Sequence, residues 1–195
     1  MKTRSLRNTR AGPCGACAVN SRDLPRNDNR TISGYKEGMN EALSRRLSQP
    51  QFADPMQEAL LGLLVAATTL NDLMDELCEM HRSTRPQYNV LRILRGVHPQ
   101  GHARCEIARR MIDRAPDVTR LVDRLQARGL VRRSRGKEDQ RQTLTSITAK
   151  GLKLLARMQP QIDAAVGARL GRLNDADYRE LSRLCGLILE PDSAE

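Results

Sequence analysis

Arginine is the residue of this sequence best placed to do chemistry, and arginines are most concentrated between residues 104 and 141. That stretch holds 12 basic and 6 acidic residues, in a chain of 195 residues whose net charge is +10. A guanidinium presents several N–H donors in one plane, an arrangement that suits phosphate groups and the edge of guanine. The cluster therefore favours an anionic polymer as partner, and a solvated basic surface is the alternative interpretation.

Other chemistry has little support in the sequence. An enzyme needs a nucleophile with its base, paired carboxylates, or a metal site, whereas the three histidines here are scattered and there is no phosphate-binding glycine loop. We therefore predict a protein that is not an enzyme and needs no cofactor. The apolar run from Ala59 to Ala67 is too short to span a bilayer, so we expect a cytoplasmic protein that does not contact the membrane.

The five cysteines predict neither a metal site nor a disulfide framework. Cys14 and Cys17 form a single Cys-x-x-Cys pair, without the second pair that a zinc site needs. Cys78 and Cys105 fall on predicted helices, where we interpret them as small buried hydrophobic residues. A role for either thiol in sensing oxidants is the alternative.

The element that must position the arginines is a helix predicted from Pro116 to Arg128. Apolar residues recur in it at spacings of three and four, which gives the helix one side to bury and one side to present. The buried side comprises Val118, Leu121, Val122 and Leu125, and the presented side includes Pro116, Arg120, Asp123 and Ala127. Gly129 can adopt the left-handed conformation that ends such a helix.

A shorter helix is predicted before this one and a basic hairpin after it. The shorter helix covers residues 104–112 and buries Ile107, Ala108 and Met111, while His102 and Ala115 occupy the two cap positions, although neither is a strong cap. The hairpin strands cover residues 130–133 and 141–147 and are joined by a polar tip. Short helix, longer helix and hairpin in this order are typical of a winged helix-turn-helix.

Five motifs in and around this unit resemble those of one protein family. They are Gln87-Tyr-Asn-Val-Leu91, the run from Asp117 to Leu125, Gly129-Leu-Val, Asp139-Gln-Arg141 and Ile147-Thr-Ala-Lys-Gly151. In this order they are similar to the MarR family of bacterial transcriptional regulators, over roughly residues 54–190. The resemblance implies a homodimer that binds a pseudo-palindromic site on double-stranded DNA and represses transcription. It also implies release by a small phenolic or anionic ligand, or by oxidation of a cysteine.

The whole chain is predicted to be mainly α-helical, with the hairpin as its small β part. Residues 1–50 carry 10 basic and 4 acidic residues without an apolar period, and we interpret them as a disordered extension. Residues 54–82 form one helix, residues 84–148 the winged helix-turn-helix, and residues 149–190 two further helices. The resemblance implies that the first and last of these helical regions form the dimer interface.

Helix caps and apolar stripes mark these flanking helices. Asp54, Thr84, Thr148 and Asn174 are the predicted caps. The first helix carries a seam of Leu60, Leu63, Ala67, Leu70, Met74 and Leu77, and the last helix is expected to turn Leu181, Leu184 and Ile188 inward. Burial of the seam within one chain is the alternative to burial in a dimer.

The central helix and the hairpin supply the residues predicted to bind DNA. Contacts to base edges carry sequence information, and phosphate contacts hold the protein in register. The helix contributes Pro116, Thr119, Arg120, Asp123 and Arg124, and the hairpin contributes Arg132, Arg133, Arg135 and Lys137 for phosphates. Arg120 is the first choice for a guanine contact, and Asp123 either pairs with Arg120 or accepts from a cytosine. The resemblance implies that Asp139 orients Arg141 toward the minor groove.

The resemblance also implies a ligand crevice between the dimer helices and the winged unit. His81, Arg85, Tyr88 and Arg92 are the candidate lining residues, and ordinary structural roles are the alternative for each. For the whole chain, the alternative function is a winged-helix module that binds only other proteins, or a protein that binds DNA without sequence preference.

Overall fold

The computed structural model describes residues 40–113, 117–135 and 142–190. The chain divides into two compact units, residues 1–54 and 55–195. The described part of the first unit contains helix α1, Glu41–Leu47, which is capped by Asn40. We predicted disorder here, and for α1 the prediction is wrong, because a short capped helix needs no long apolar period. The rest of the predicted extension, residues 1–39 with Cys14 and Cys17, lies outside the described residues.

The described part of the second unit consists of helices and a small sheet. Helix α2 covers Pro55–Met80 and α3 covers Arg85–Gly96. Strand β1, His102–Ala103, precedes α4, Arg104–Arg110, and α5, Val118–Ala127. Strands β2, Val131–Arg135, and β3, Thr143–Ile147, form the hairpin, and helices α6, Ala149–Leu170, and α7, Asp175–Leu189, follow. The predicted class, mainly α with a small β part, is confirmed.

The core of the second unit lies where α3, α5 and α6 meet the hairpin. Its completely buried side chains include Val90, Leu91, Leu94, Ile107 and Leu125. The apolar stripe predicted for α5 is confirmed, since all four of its residues are buried. Burial of a large aliphatic side chain contributes about 1.5–3 kcal/mol, so this stripe decides which side of α5 stays exposed. Ala108, which we predicted to be buried, is exposed, because α4 ends at Arg110 and packs mainly through Ile107.

The hairpin belongs to a three-stranded antiparallel sheet in the order β1-β3-β2, in which β3 is the central strand. Its register runs from Val131 opposite Ile147 to Arg135 opposite Thr143. Strand β1 was not predicted, because two residues are too few to show a period. It pairs His102 with Thr145 and so ties the start of α4 to the middle of β3.

The caps of the flanking helices are largely as predicted, and those of α4 and α5 are not. Thr84, Thr148 and Asn174 each accept a hydrogen bond from the first turn of their helices. Ala103, not His102, is the N-cap of α4 and makes no side-chain cap. Asp117, not Ala115, caps α5 and delays the helix start to Val118, while Ala115 and Pro116 lie outside the described residues. Gly129 follows α5 with φ 69, the left-handed conformation predicted there.

Apolar side chains are exposed along α7 and along the first half of α2. Leu181, Leu184 and Ile188 are 46%, 44% and 65% exposed, so the expectation that they face inward is wrong within a single chain. Along the seam of α2, Leu60 is 54% exposed whereas Leu77 is buried. Among the described residues no helix is long and apolar enough to cross a membrane.

Candidate nucleic-acid interface

The exposed side of α5 carries two arginines and a carboxylate. Arg120 and Arg124 project from the side opposite the buried stripe. The Asp117 carboxylate accepts hydrogen bonds from the N–H groups of Thr119 and Arg120, at 3.1 and 3.3 Å. The same carboxylate lies 3.1 Å from the Arg120 Nε. An ion pair as exposed as this one contributes little to stability, so the Arg120 guanidinium can exchange it for a nucleic-acid acceptor.

Asp123 is bonded to the hairpin and not to Arg120. The Arg133 Nη2 donates to the Asp123 Oδ1 at 2.6 Å, which links β2 to the exposed side of α5. The predicted i, i+3 pair between Arg120 and Asp123 is therefore wrong. The sequence could not show the real partner, because the ten-residue separation is bridged only once the hairpin folds back against the helix.

A cleft of about 340 Å³ lies between α4, α5 and the hairpin. It is lined by Arg104, Thr119, Val122, Arg133, Thr143 and Thr145. Arg104, the first residue of α4, donates from Nη1 to the Thr119 Oγ1 at 2.9 Å. We did not predict Arg104 as a site residue. Its position at one end of the basic stretch was the available signal, but its contact with α5 depends on the tertiary fold.

The other hairpin arginines lie along β2. The Arg132 Nε donates to the Ser146 Oγ of β3 at 3.2 Å, and Arg135 is exposed at the end of the strand. These positions leave both guanidinium groups at the surface of the hairpin. Lys137, Asp139 and Arg141 lie outside the described residues, as does Pro116, so their predicted roles remain predictions.

Comparison with known proteins agrees with this arrangement of helix and wing. The family model described as MarR family matches residues 83–143. The HTH-type transcriptional regulator TtmR of Methylorubrum extorquens is 30% identical over 144 residues, which are 72% of this chain and 72% of that protein. The transcriptional regulator HosA of Escherichia coli O157:H7 is 31% identical over 103 residues, 53% of this chain and 74% of HosA. The chain belongs to the MarR family.

A solved MarR structure shares the fold of this MarR protein. The MarR transcription factor from Planctomyces limnophilus matches with a TM-score of 0.54 and 39% identity, over 70% of this chain and 99% of that one. The predicted family and the winged-helix architecture are thus confirmed. This MarR protein is a DNA-binding transcriptional regulator, and its family is one of transcription regulators and not of enzymes.

A second cavity of this MarR protein, about 420 Å³, lies between α2 and α3. Three of the four predicted ligand residues line it, namely Arg85, Tyr88 and Arg92. The other lining residues are Asn71, Met74, Asn89, Ile93, Ile112 and Asp113. His81, the fourth predicted residue, does not line the cavity, and its Nε2 lies 2.8 Å from the Gln161 Oε1 of α6. For His81 the prediction is wrong, because this residue follows the end of α2 and packs toward α6.

The two arginines of this cavity differ in their partners. Arg85 lies 3.3 Å from the Asp75 carboxylate and donates to the Asn71 side chain. Arg92 donates to the Tyr88 hydroxyl at 3.1 Å, and its guanidinium carbon lies 5.8 Å from the centre of the Tyr88 ring. Within the described residues no carboxylate pairs with Arg92. The cavity therefore combines apolar walls, a tyrosine, the Asp113 carboxylate and one arginine, Arg92, that has no carboxylate partner among the described residues.

The cysteines of the MarR protein differ from the prediction at one position. Cys78 is completely buried as predicted. Burial, with a smaller contribution from Asp75, raises its pKa to about 11, although Arg85 acts in the opposite direction. Its thiolate is therefore scarce at neutral pH, which argues against oxidant sensing there. Cys105 is exposed on α4 and so is not the buried hydrophobic residue that we predicted. Among the described residues no group of three or more His, Cys, Asp or Glu could hold a metal.

Proposed function

We propose that this MarR-family regulator is a homodimeric repressor that occupies a pseudo-palindromic operator. In this proposal α5 enters the major groove and the hairpin reaches the adjacent minor groove. The observation that carries the proposal is the exposed side of α5, where Arg120 and Arg124 project while the opposite side is fixed in the core. A rigid helix that presents arginines beside a basic hairpin can place guanidinium groups on base edges and phosphates together.

The residues divide into two roles. Arg120 contacts a guanine, since it is exposed and its Asp117 partner is easily exchanged, and Arg124 reaches a neighbouring base or phosphate. Arg132, Arg133 and Arg135 lie along the hairpin and serve phosphates. Pro116 and Lys137 join this surface as the sequence predicts, and the family resemblance adds Asp139 and Arg141, with Arg141 in the minor groove. In this proposal Asp123 holds the Arg133 guanidinium in place and does not contact a cytosine, which was one of the two roles expected for it.

Dimerisation is supported by the apolar surface that one chain leaves uncovered. No residue of α7 is buried, although Leu181, Leu184 and Leu187 lie along it. Met56 and Leu60 of α2 are exposed as well, and apolar side chains left open in this way are typical of a surface that binds a partner. A second copy that covers them by two-fold symmetry would also set two α5 helices about one helical turn of DNA apart.

Competition binding with DNA from the region upstream of the protein's own gene tests the proposal. We expect tight binding that survives an excess of unrelated DNA. If the dimer neutralises about eight phosphates, the slope of log K against log salt should be near −7. Binding that unrelated DNA removes easily would contradict the operator proposal and favour a non-specific basic surface. A protein that binds no DNA would favour the alternative of a protein-interaction module.

A small anionic or phenolic effector is proposed for the cavity between α2 and α3. Met74, Ile93 and Ile112 give it apolar walls, and Arg92 with Tyr88 gives it one cation and one hydroxyl. Such a combination suits an aromatic carboxylate. Ile112 and Asp113 also line the cavity, so an occupant would lie against the segment that leads from α4 to α5.

Salicylate should raise the Tm of the wild-type protein and weaken its binding to the operator. The Arg92→Gln variant is expected to need about tenfold more salicylate for either response, because the carboxylate of salicylate loses its charged partner. Thermal unfolding and operator binding, each titrated with salicylate and with uncharged 2-hydroxybenzamide, measure this. His81→Ala is the matched control, since His81 lies outside the cavity. Equal responses of Arg92→Gln and wild type would contradict the assignment.

A further inference from the structure

The cleft between α4, α5 and the hairpin has a lining that suits a phosphate. Of its six lining residues, Arg104 and Arg133 are cations, three are threonines, and none is acidic. Val122 is buried and closes the inner side. One of the two cations already has a carboxylate partner, since the Arg133 guanidinium donates to Asp123 at 2.6 Å. The cleft thus offers guanidinium and hydroxyl donors around a space of about 340 Å³.

The geometry of duplex DNA places a sugar-phosphate strand at this position. This placement rests on the proposed function, in which α5 lies in the major groove and the hairpin lies in the adjacent minor groove. One strand separates these two grooves, so it must cross the space between helix and hairpin. The cleft opens in that space, with Arg104 and Thr119 on one side and Arg133 on the other.

Arg104 is prepared for such a contact. Within the described residues its side-chain partner is the Thr119 hydroxyl, and no carboxylate neutralises it. A guanidinium with one donor used by a neutral hydroxyl keeps its full charge and several free N–H groups for an oxyanion. The hydroxyl also fixes where the guanidinium lies relative to α5.

We propose that this cleft seats one backbone phosphate of each operator half-site, held by Arg104 and Arg133. Thr119 is then a positioning residue that holds Arg104, and it does not read a base. The seat contributes affinity without sequence preference, because phosphates are the same at every base pair. It also fixes the depth of α5 in the major groove.

Operator duplexes with neutral methylphosphonates test the seat. One phosphate in each half-site is replaced at symmetry-related positions, and the replacement is moved step by step along the strand. We expect one position at which wild-type affinity falls about 100-fold, about tenfold per half-site. Arg104→Gln should lose affinity on the unmodified duplex, and its additional loss at that position should be clearly smaller than the loss of the wild type, since only the Arg133 contact remains to be removed. Its salt slope should be less steep by about 2, for two lost contacts per dimer.

Two further variants serve as controls. One tests whether any loss of positive charge gives the same effect, and the other tests whether Thr119 contacts a base. Arg157→Gln, which removes an exposed charge from α6, is expected to leave the methylphosphonate profile unchanged. Thr119→Val should weaken binding several-fold without any change in base preference. Independent, additive losses for Arg104→Gln and the methylphosphonate at every position would overturn the proposal, and so would a changed base preference of Thr119→Val.

Free inorganic phosphate provides the other source of the same chemistry. If the cleft binds only free phosphate, inorganic phosphate should stabilise the unbound protein, and Arg104→Gln should abolish that effect. No position of the methylphosphonate would then be sensitive. This result would also overturn the proposal. Failure of the proposed function is distinguishable, because the wild type would then show no competitor-resistant binding. Competitor-resistant binding that no methylphosphonate position weakens would contradict only the proposed phosphate site and would leave the proposed function intact.

Discussion

The Leu184→Asp variant is expected to be monomeric and to lose operator affinity by about 1,000-fold. Linking two DNA-binding units typically raises affinity by a factor of about 10²–10⁴, and a monomer lacks this gain. Leu184 is 44% exposed in the centre of α7, in a surface that the proposed dimer buries. Two-fold symmetry would bury two unpaired carboxylates at once, which costs several kcal/mol. Within a single chain the aspartate meets water and should leave the fold intact. Light scattering gives the mass, and anisotropy with labelled operator gives the affinity.

Arg179→Ala is the matched control for this variant. It changes the net charge by the same unit and lies about 140° around α7 from Leu184, by the 100° per residue of an α-helix. We expect it to remain dimeric with nearly wild-type affinity. A dimeric Leu184→Asp protein that binds operator normally would contradict the assignment of α7 to the interface. Loss of helical circular dichroism would show unfolding, in which case Leu184→Gln repeats the measurement.

The Arg120→Ala variant is expected to lose discrimination at one base pair in each half-site. A bidentate arginine–guanine contact gives about 1–3 kcal/mol of discrimination, so the dimer should lose about 30-fold or more in operator affinity. Affinity for unrelated DNA should fall far less. The Tm should stay within about 1 °C of wild type, because exposed ion pairs such as that of Arg120 with Asp117 contribute little.

Arg132→Ala provides the contrast. Arg132 donates to Ser146 on the hairpin and is assigned to a phosphate. Its loss should weaken binding to the operator and to unrelated DNA by similar factors, and should make the slope of log K against log salt less steep. Binding to a library of operators with one altered base pair separates the two variants. An Arg120→Ala protein with wild-type base preference at every position would contradict the role of Arg120.

Much of the DNA-binding unit was predictable because it depends on local rules. The stripe of α5 follows from spacings of three and four, and the end of the helix follows from Gly129. The hairpin follows from a polar tip and from β-branched residues in the strand that returns from it. Thr84 and Thr148 are caps because their hydroxyls reach the first turn of the next helix. Each of these signals lies within a few residues of the feature that it predicts.

The contacts that shape the site were not predictable in this way. Arg104 with Thr119 and Asp123 with Arg133 join different elements, so they depend on how α4, α5 and the hairpin pack. Strand β1 forms only because β3 lies beside it. His81 has the residue type of a ligand contact, and only the fold shows that it faces Gln161. Local patterns thus identify the reading helix, and the tertiary fold identifies what holds its side chains.

Hydroxyl-radical footprinting of the wild-type protein on its own upstream DNA tests the central claim most directly. If two α5 helices read one operator, we expect two protected half-sites related by a two-fold axis, with centres about 10 bp or a multiple of that distance apart. Protection should persist in excess unrelated DNA. A single asymmetric protected patch, or uniform protection along the fragment, would contradict a homodimer that reads a pseudo-palindromic operator.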